Sequence, residues 1–216
     1  MEHIILHESK KYLAYYLCNE STQLIFYYAP LGVNKKILKQ GYKQLDNMLT
    51  YYSKVTVVFL QLHQTEFTPD NGVISLFLKQ LKRRLEKHYN CTVAYLWVRE
   101  QGGSPAQHYH LVVMVNGHKC SSSQYILKVA TEIWESQKGG NYSFKVKNRI
   151  YRIETYKNNN EYQAARMRMS YLAKMKTKDT SRPYLNSFGV SRVAPNPLPN
   201  KNTQNEPHEP KSKLRN

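Results

Sequence analysis

His108 and His110 sit two residues apart in an apolar, β-branched stretch, His108–Asn116 (HYHLVVMVN), that has strand length. Side chains alternate along a strand, so both imidazoles point to one face and can reach one metal ion. The preceding segment offers a third ligand. If the loop Gln101–Gln107 (QGGSPAQ) joins its flanks symmetrically, Glu100 lies opposite His108 and Val98 opposite His110. Directly opposed residues stand ~4.5–5.5 Å apart at Cβ on one face. A carboxylate and two imidazoles would hold a divalent cation with coordination positions left open, as catalysis at a metal requires. A His-x-His pair alone often just finishes a strand near solvent; the carboxylate in register favours the metal. His63, after an earlier strand, either flanks this group or is a polar strand end.

A second group lies at Tyr171-Leu172-Ala173-Lys174. On an ideal helix Tyr162, Ala165, Met169 and Leu172 form one apolar stripe within about 80°. Tyr171 falls more than about 100° from the stripe's centre, on the side of Met167, Lys174 and Lys178. It is therefore not needed for packing the main apolar face. A phenol that attacks a phosphodiester becomes a covalent phosphotyrosine, and a neighbouring lysine can hold the phosphate or the leaving oxygen. The plain alternative is an amphipathic tyrosine at a helix edge beside a snorkelling lysine.

The elements that would position these groups are legible in part. Val55–Leu62 (VTVVFLQL) is apolar on both faces and reads as a central strand. Ile74, Phe77, Leu78, Leu81 and Leu85 recur at helical spacing, so Gly72–Tyr89 is an amphipathic helix after the turn Thr68–Gly72. Thr92–Glu100 and His108–Asn116 are strands joined as a hairpin. Ser121–Ser123 precede a helix over Gln124–Ser136, and Asn158–Asn160 a helix over Glu161–Lys176. Tyr142–Val146 and Arg149–Ile153 alternate weakly and read as short strands that pair with each other. Asn34–Tyr52 is a further helix, with Leu38, Leu45, Met48, Leu49 and Tyr52 on one face. Before it, Tyr12–Leu17 and Leu24–Tyr28 form either a hairpin or a helix followed by a strand. The expected fold is α+β, a central and mainly antiparallel sheet with helices on one face. The expected domains are an extension over residues 1–54 packed on the core, a main domain over 55–193, and a disordered basic tail over 194–216.

Composition narrows the partner. The 216 residues carry 32 Lys and Arg against 15 Asp and Glu, a formal charge of +17. A domain this basic usually meets a polyanion. Its 18 tyrosines suit a single strand, whose bases stack on rings while cations take the phosphates. Binding should weaken steeply with salt, by a slope of ~0.7 per phosphate contacted. Lys145, Lys147, Arg149, Arg152 and Lys157 are candidates for a DNA-contacting ribbon. Cys18, Cys91 and Cys120 are odd in number and widely spaced, which argues against a disulfide scaffold or a zinc ribbon and fits a reducing cytoplasm. No apolar run is long enough to cross a bilayer, no secretory signal is visible, and no P-loop is present.

His108-Tyr109-His110 followed by Tyr171-Leu172-Ala173-Lys174 resembles the signature of HUH endonucleases, which include rolling-circle replication initiators and relaxases. The closer resemblance is to replication proteins of filamentous phages (inoviruses) and their prophage relatives. It rests on WVREQGGSPAQHYHLVVMVNG (Trp97–Gly117), SYLAKMKTK (Ser170–Lys178) and SFGVSR (Ser187–Arg192), and covers roughly Val55 to Arg192. The resemblance implies a ferredoxin-like or RRM-like sheet with the His-x-His strand central. It implies a Mg²⁺ or Mn²⁺ ion held by His108, His110 and Glu100, with Glu100 the more variable ligand. It implies Tyr171 as the nucleophile that stays on the 5′ end of nicked single-stranded DNA, with Lys174 as the assisting cation. Met167 stands where two-tyrosine relatives have a second attacking group, so one tyrosine should act. The partners implied are single-stranded DNA or an origin hairpin, with a host helicase and polymerase, in the bacterial cytoplasm, for a monomer or weak oligomer without membrane contact. A transposase or relaxase with the same chemistry, and a non-catalytic DNA-binding regulator, are the alternatives.

Overall fold

The structure is a computed structural model that describes residues 2–18, 21–137, 139, 141–144, 146–155, 160–175 and 186–198. In chain order the elements are β1 (Glu2–Leu6), β2 (Leu13–Cys18), β3 (Ser21–Phe26), α1 (Lys35–Tyr51), β4 (Lys54–His63), α2 (Gly72–Tyr89), β5 (Ala94–Glu100), β6 (His108–Asn116), α3 (Gln124–Glu135), β7 (Tyr142–Phe144), β8 (Ile150–Glu154), α4 (Asn160–Leu172) and β9 (Phe188–Val190). The fold is α+β, with antiparallel sheets of three and six strands.

The organising unit is β4-α2-β5-β6-α3-β8, whose strands lie side by side as β8, β4, β6, β5. This is a ferredoxin-like order, in which β6 is central between β4 and β5. β4 and β6 are apolar on both faces, so each face of the sheet must be covered. On one face α2 and α3 bury Phe77, Leu81, Leu85, Ile126 and Trp134 over Leu60, Leu111 and Val113. These two crossover helices share one face, as expected. The other face also carries helices: α1 and α4 bury Leu38, Leu45, Met48 and Met169 over Val57, Leu96, Val112 and Met114. The small sheet β1-β2-β3 adds Ala14, Tyr16 and Ile25 to that second core. Burial on this scale, at roughly 25 cal/mol per Å² of apolar surface, is what fixes the strands rigidly enough to aim side chains.

Local signals set the helix starts. The Asn34 side chain accepts from the Lys36 and Ile37 amides at 3.0 and 3.2 Å and opens α1. Asp70 accepts from the Gly72 amide at 2.8 Å in the turn that opens α2. α2 ends on Asn90 in the left-handed region, φ 42°.

Five features differ from the sequence expectation or resolve it. The N-terminal patches form a hairpin, with Tyr15 opposite Leu24. β7 and β8 do not pair with each other; both lie along β4, β7 at Gln61–His63 and β8 at Lys54–Val58. α4 stops at Leu172, because the Ala173 carbonyl accepts from Asn34 N–H (2.8 Å) and Met175 N–H turns to Gly32 O (3.1 Å). The SFGVSR segment adds β9 to β5, where Gly189 lies so close to the Trp97 indole that a Cβ would fall 2.6 Å from its Nε1. The chain runs along α1 into the expected tail: the carbonyl of Val193, the last residue of the expected main domain, accepts from Asn47 Nδ2 (2.6 Å), and Asn196 N–H in the tail donates to Thr50 Oγ1 (2.8 Å). Residues 199–216 of that tail lie outside the described residues, as do Lys145, Lys157, Lys178 and the end of the helix expected to reach Lys176. Cys18, Cys91 and Cys120 are all free thiols. Among the described residues no helix is long and apolar enough to cross a membrane.

Candidate active site

The β5–β6 hairpin has the register expected of it: Glu100 opposes His108 and Val98 opposes His110. The strand period of two then separates the roles of neighbouring residues. Tyr109 points to the opposite face, wholly buried against Trp97 and Trp134, and locks the strand in place. His108 and His110 point the other way with Glu100.

Glu100 is 1% exposed, a costly place for a carboxylate unless polar nitrogens or cations surround it. Three nitrogens do. His110 Nε2 lies 3.5 Å, Lys174 Nζ 3.6 Å and His108 Nε2 3.8 Å from Glu100 Oε2. Glu100, His108 and His110 each offer a ligand atom within 4.8 Å of the others. Burial, reinforced by the charge of His110, lowers the His108 pKa to about 4, so its ring is neutral at pH 7 as metal ligation needs. The donor set therefore fits a divalent cation with open positions.

Tyr171 reaches the same place from the last turn of α4. Its ring stands edge-on to His110, centroids 6.3 Å apart, and against Phe26 of β3 at 5.7 Å. Lys174 lies past the helix end, in a bridge to Val33, and not one helical turn further along α4. The bridge still carries its Nζ to 3.7 Å from the Tyr171 centroid. One ammonium therefore touches both the carboxylate and the phenol ring. A cavity of about 460 Å³ joins the parts, with Glu100, His108, His110, Tyr171 and Lys174 in its wall.

All five residues singled out in the sequence thus converge. Tyr162, the other tyrosine on α4, does not join them. Tyr162 donates to Asp46 Oδ1 at 2.7 Å, accepts from Arg166, and is held protonated by burial. Tyr184 lies outside the described residues. Arg149 and Arg152 of the expected ribbon donate to Ser123 Oγ and Ser121 O before α3 rather than facing the cavity.

The model of the YagK/YfjJ C-terminal domain family matches residues 19–191. The chain belongs to this family, which is prophage-related. No curated protein and no solved structure matches it. The matched span of this YagK/YfjJ domain runs from β3 to β9 and contains every cavity residue named above. It also contains groups that sequence reasoning passed over. Arg168 lines the cavity with its guanidinium 5.9 Å from the Tyr171 centroid, and Phe26, Phe59 and Gln61 complete the wall. The signal for Arg168 was its place three residues before Tyr171, one turn earlier on the same helix side. Phe26 carried no local signal, since only the tertiary docking of β3 on α4 brings it there.

Proposed function

We propose that this chain nicks and rejoins single-stranded DNA at a replication origin, as a rolling-circle initiator of the HUH endonuclease kind. The observation that carries the reading is the meeting of Tyr171, Lys174 and the Glu100/His108/His110 group in one cavity. Membership of a prophage-related family supports a role in a mobile genome, and the charge of +17 supports a polyanionic substrate.

In this reading the Tyr171 oxygen bonds to the scissile phosphorus. The 3′ oxygen leaves with the electron pair of the broken bond and takes up a proton, while the phenol gives up its own. The 5′ phosphate stays on Tyr171, and attack by a free 3′ hydroxyl reverses the exchange and rejoins the strand. Glu100, His108 and His110 would hold Mg²⁺ or Mn²⁺, which when bound supplies Lewis-acid polarisation of a phosphate oxygen. Lys174 and Arg168 stand where charge builds on the transferring phosphate and would stabilise it. Phe26 packs edge-on against the phenol ring, and Phe59 completes the apolar part of the wall beneath Arg168. The partners are single-stranded DNA or an origin hairpin, with host helicase and polymerase acting afterwards.

The test is incubation of the purified chain with single-stranded origin DNA and Mn²⁺, followed by a denaturing gel and mass spectrometry of the adduct. Tyr171→Phe should eliminate the covalent product while leaving DNA binding intact. A nucleotide found on any other tyrosine, or none on the wild type, overturns the assignment. Rejoining of an origin strand rather than a transposon end separates the initiator from a transposase.

A further inference from the structure

The sheet face that holds the metal ligands continues past them. Reading across the strands, Glu100 of β5 opposes His108 of β6, His108 opposes His63 of β4, and His63 opposes Tyr142 of β7. The next row runs Val98, His110, Gln61, Phe144. Opposed residues share a face, so Tyr142 and Phe144 extend the two catalytic rows towards the sheet edge. Ser143 between them points the other way and pairs with Thr131 of α3 at 2.8 Å.

The first row is a ladder of rings. His108 and His63 stack with centroids 5.1 Å apart and planes 13° from parallel, and His63 and Tyr142 stack at 4.8 Å and 12°. Tyr142 is 46% and Phe144 57% exposed, although both are large apolar rings on a folded surface. Among the described residues neither belongs to a core cluster that would explain its identity. Val146, two residues beyond Phe144, lines the catalytic cavity, and exposed Lys147 follows it. Arg168 lies in the cavity wall itself. Open aromatic faces in line with a phosphate-handling site, with cations beside them, are what a single strand requires: every base has a π face to stack and every linkage a charge to neutralise.

We propose that Tyr142 and Phe144 form a base-stacking shelf for the nucleotides flanking the phosphate that Tyr171 attacks. The shelf rests on the DNA-cleaving reading of the cavity and deepens it by saying how the strand is held. Stacking is sequence-tolerant, so the shelf contributes grip and direction rather than choice of origin. His63, buried at its Nε2 and stacked between His108 and Tyr142, serves as the rigid backing ring between the shelf and the cavity.

The experiment compares wild type with Tyr142→Ala/Phe144→Ala and with Phe144→Ala alone, in fluorescence anisotropy with two labelled single strands. One is oligothymidylate and the other an abasic strand of equal length, which keeps phosphates and lacks bases. The double variant should bind oligothymidylate about tenfold more weakly for each base released, and the abasic strand as tightly as wild type does. Tyr142→Phe should retain wild-type affinity. Phe144→Ala leaves the His63–Tyr142 stack untouched and should lose about half the effect, which separates the shelf from any damage to the fold. Equal affinity of wild type and double variant for oligothymidylate, in a protein that still forms the Tyr171 adduct, overturns the shelf alone. Failure of wild type to bind either strand overturns the cleavage reading as well. A concentration-dependent dimer that the double variant abolishes, with DNA affinity unchanged, would assign the surface to self-association and also overturn the shelf.

Discussion

Replacing Glu100 with glutamine keeps the shape of the side chain and removes the charge on which three nitrogens converge. Lys174 is then an ammonium in a site where its side chain is only 9% exposed, 3.6 Å from a neutral amide. At that separation the lost attraction is ~4–5 kcal/mol for an effective dielectric of about 20. Removing one partner of a buried pair typically costs ~3–5 kcal/mol, because the other is left desolvated. We expect Glu100→Gln to fall in that range in metal-free guanidinium unfolding at pH 7. Lys174→Met should cost less, since His108 and His110 remain beside the carboxylate. The double variant should be more stable than Glu100→Gln alone, with a coupling energy of ~1–3 kcal/mol. The same contact has a consequence for metal binding. Lys174 occupies the carboxylate that the cation needs, so Lys174→Met should bind Mn²⁺ more tightly than wild type by calorimetry while forming adduct more slowly. Additive single-variant effects, within ~0.5 kcal/mol, would refute the ion pair. Unchanged or weaker Mn²⁺ binding by Lys174→Met would refute the competition.

Two further outcomes follow from the site. At about 100 times its dissociation constant Mn²⁺ should stabilise the wild type by ~2.7 kcal/mol, and His108→Ala with His110→Ala should abolish that gain in a thermal melt while leaving salt-sensitive DNA binding in place. Acid should act through His108: its folded pKa of about 4 lies below the ordinary ~6.5, so the unfolded chain takes up a proton first as pH falls. The stability held above pH 6.5 is lost down to pH 4, by up to roughly 3 kcal/mol, and His108→Gln should flatten that part of the stability–pH curve. A His108→Gln curve parallel to wild type between those values would refute the assignment.

The clustering of Glu100, His108 and His110 is legible in the sequence because it depends on two local rules. A strand period of two fixes the face of His108 and His110, and a seven-residue loop entered symmetrically sets Glu100 opposite His108. Tyr171 was legible for a related reason: its angle from the stripe of Ala165, Met169 and Leu172 is a property of the helix alone. Lys174 was placed in the right company for a partly wrong reason. Its position depends on hydrogen bonds from Asn34 and to Gly32, about 140 residues away in sequence, which end α4 and make the bridge. The sequence alone leaves His63 open between two readings, because its neighbour is set by the β4–β6 register. That register is reached through α2 and β5, and no loop length fixes it. The pairing of β7 and β8 with β4 was hidden similarly: three- and five-residue strands carry too few alternating positions to declare a partner.

This division explains why the site sits where it does. Among the described residues β6 is the one strand of this sheet with long partners on both sides, nine residues paired with β4 and seven with β5. Its Tyr109, Leu111 and Val113 are buried in one core and Val112 and Met114 in the other. A strand clamped in this way can carry two polar side chains at its start with little freedom, at the point where both cores thin out and a cavity opens. α4 and the bridge at Lys174 then approach from the second core, whose packing on β3 also delivers Phe26. In the proposed reaction the nucleophile Tyr171 and its cation Lys174 thus come from α4 and the bridge after it, apart from the strands that bring Glu100, His108 and His110 together. Loosening the α4 contacts should therefore slow phosphoryl transfer before it affects metal binding. Ser170→Ala probes this, because Ser170 Oγ accepts from Phe26 N–H at 2.9 Å and ties β3 to the turn that carries Tyr171. Its adduct rate should fall while its Mn²⁺ affinity stays at the wild-type value, and an equal loss in both would show that the two halves of the site are one rigid unit.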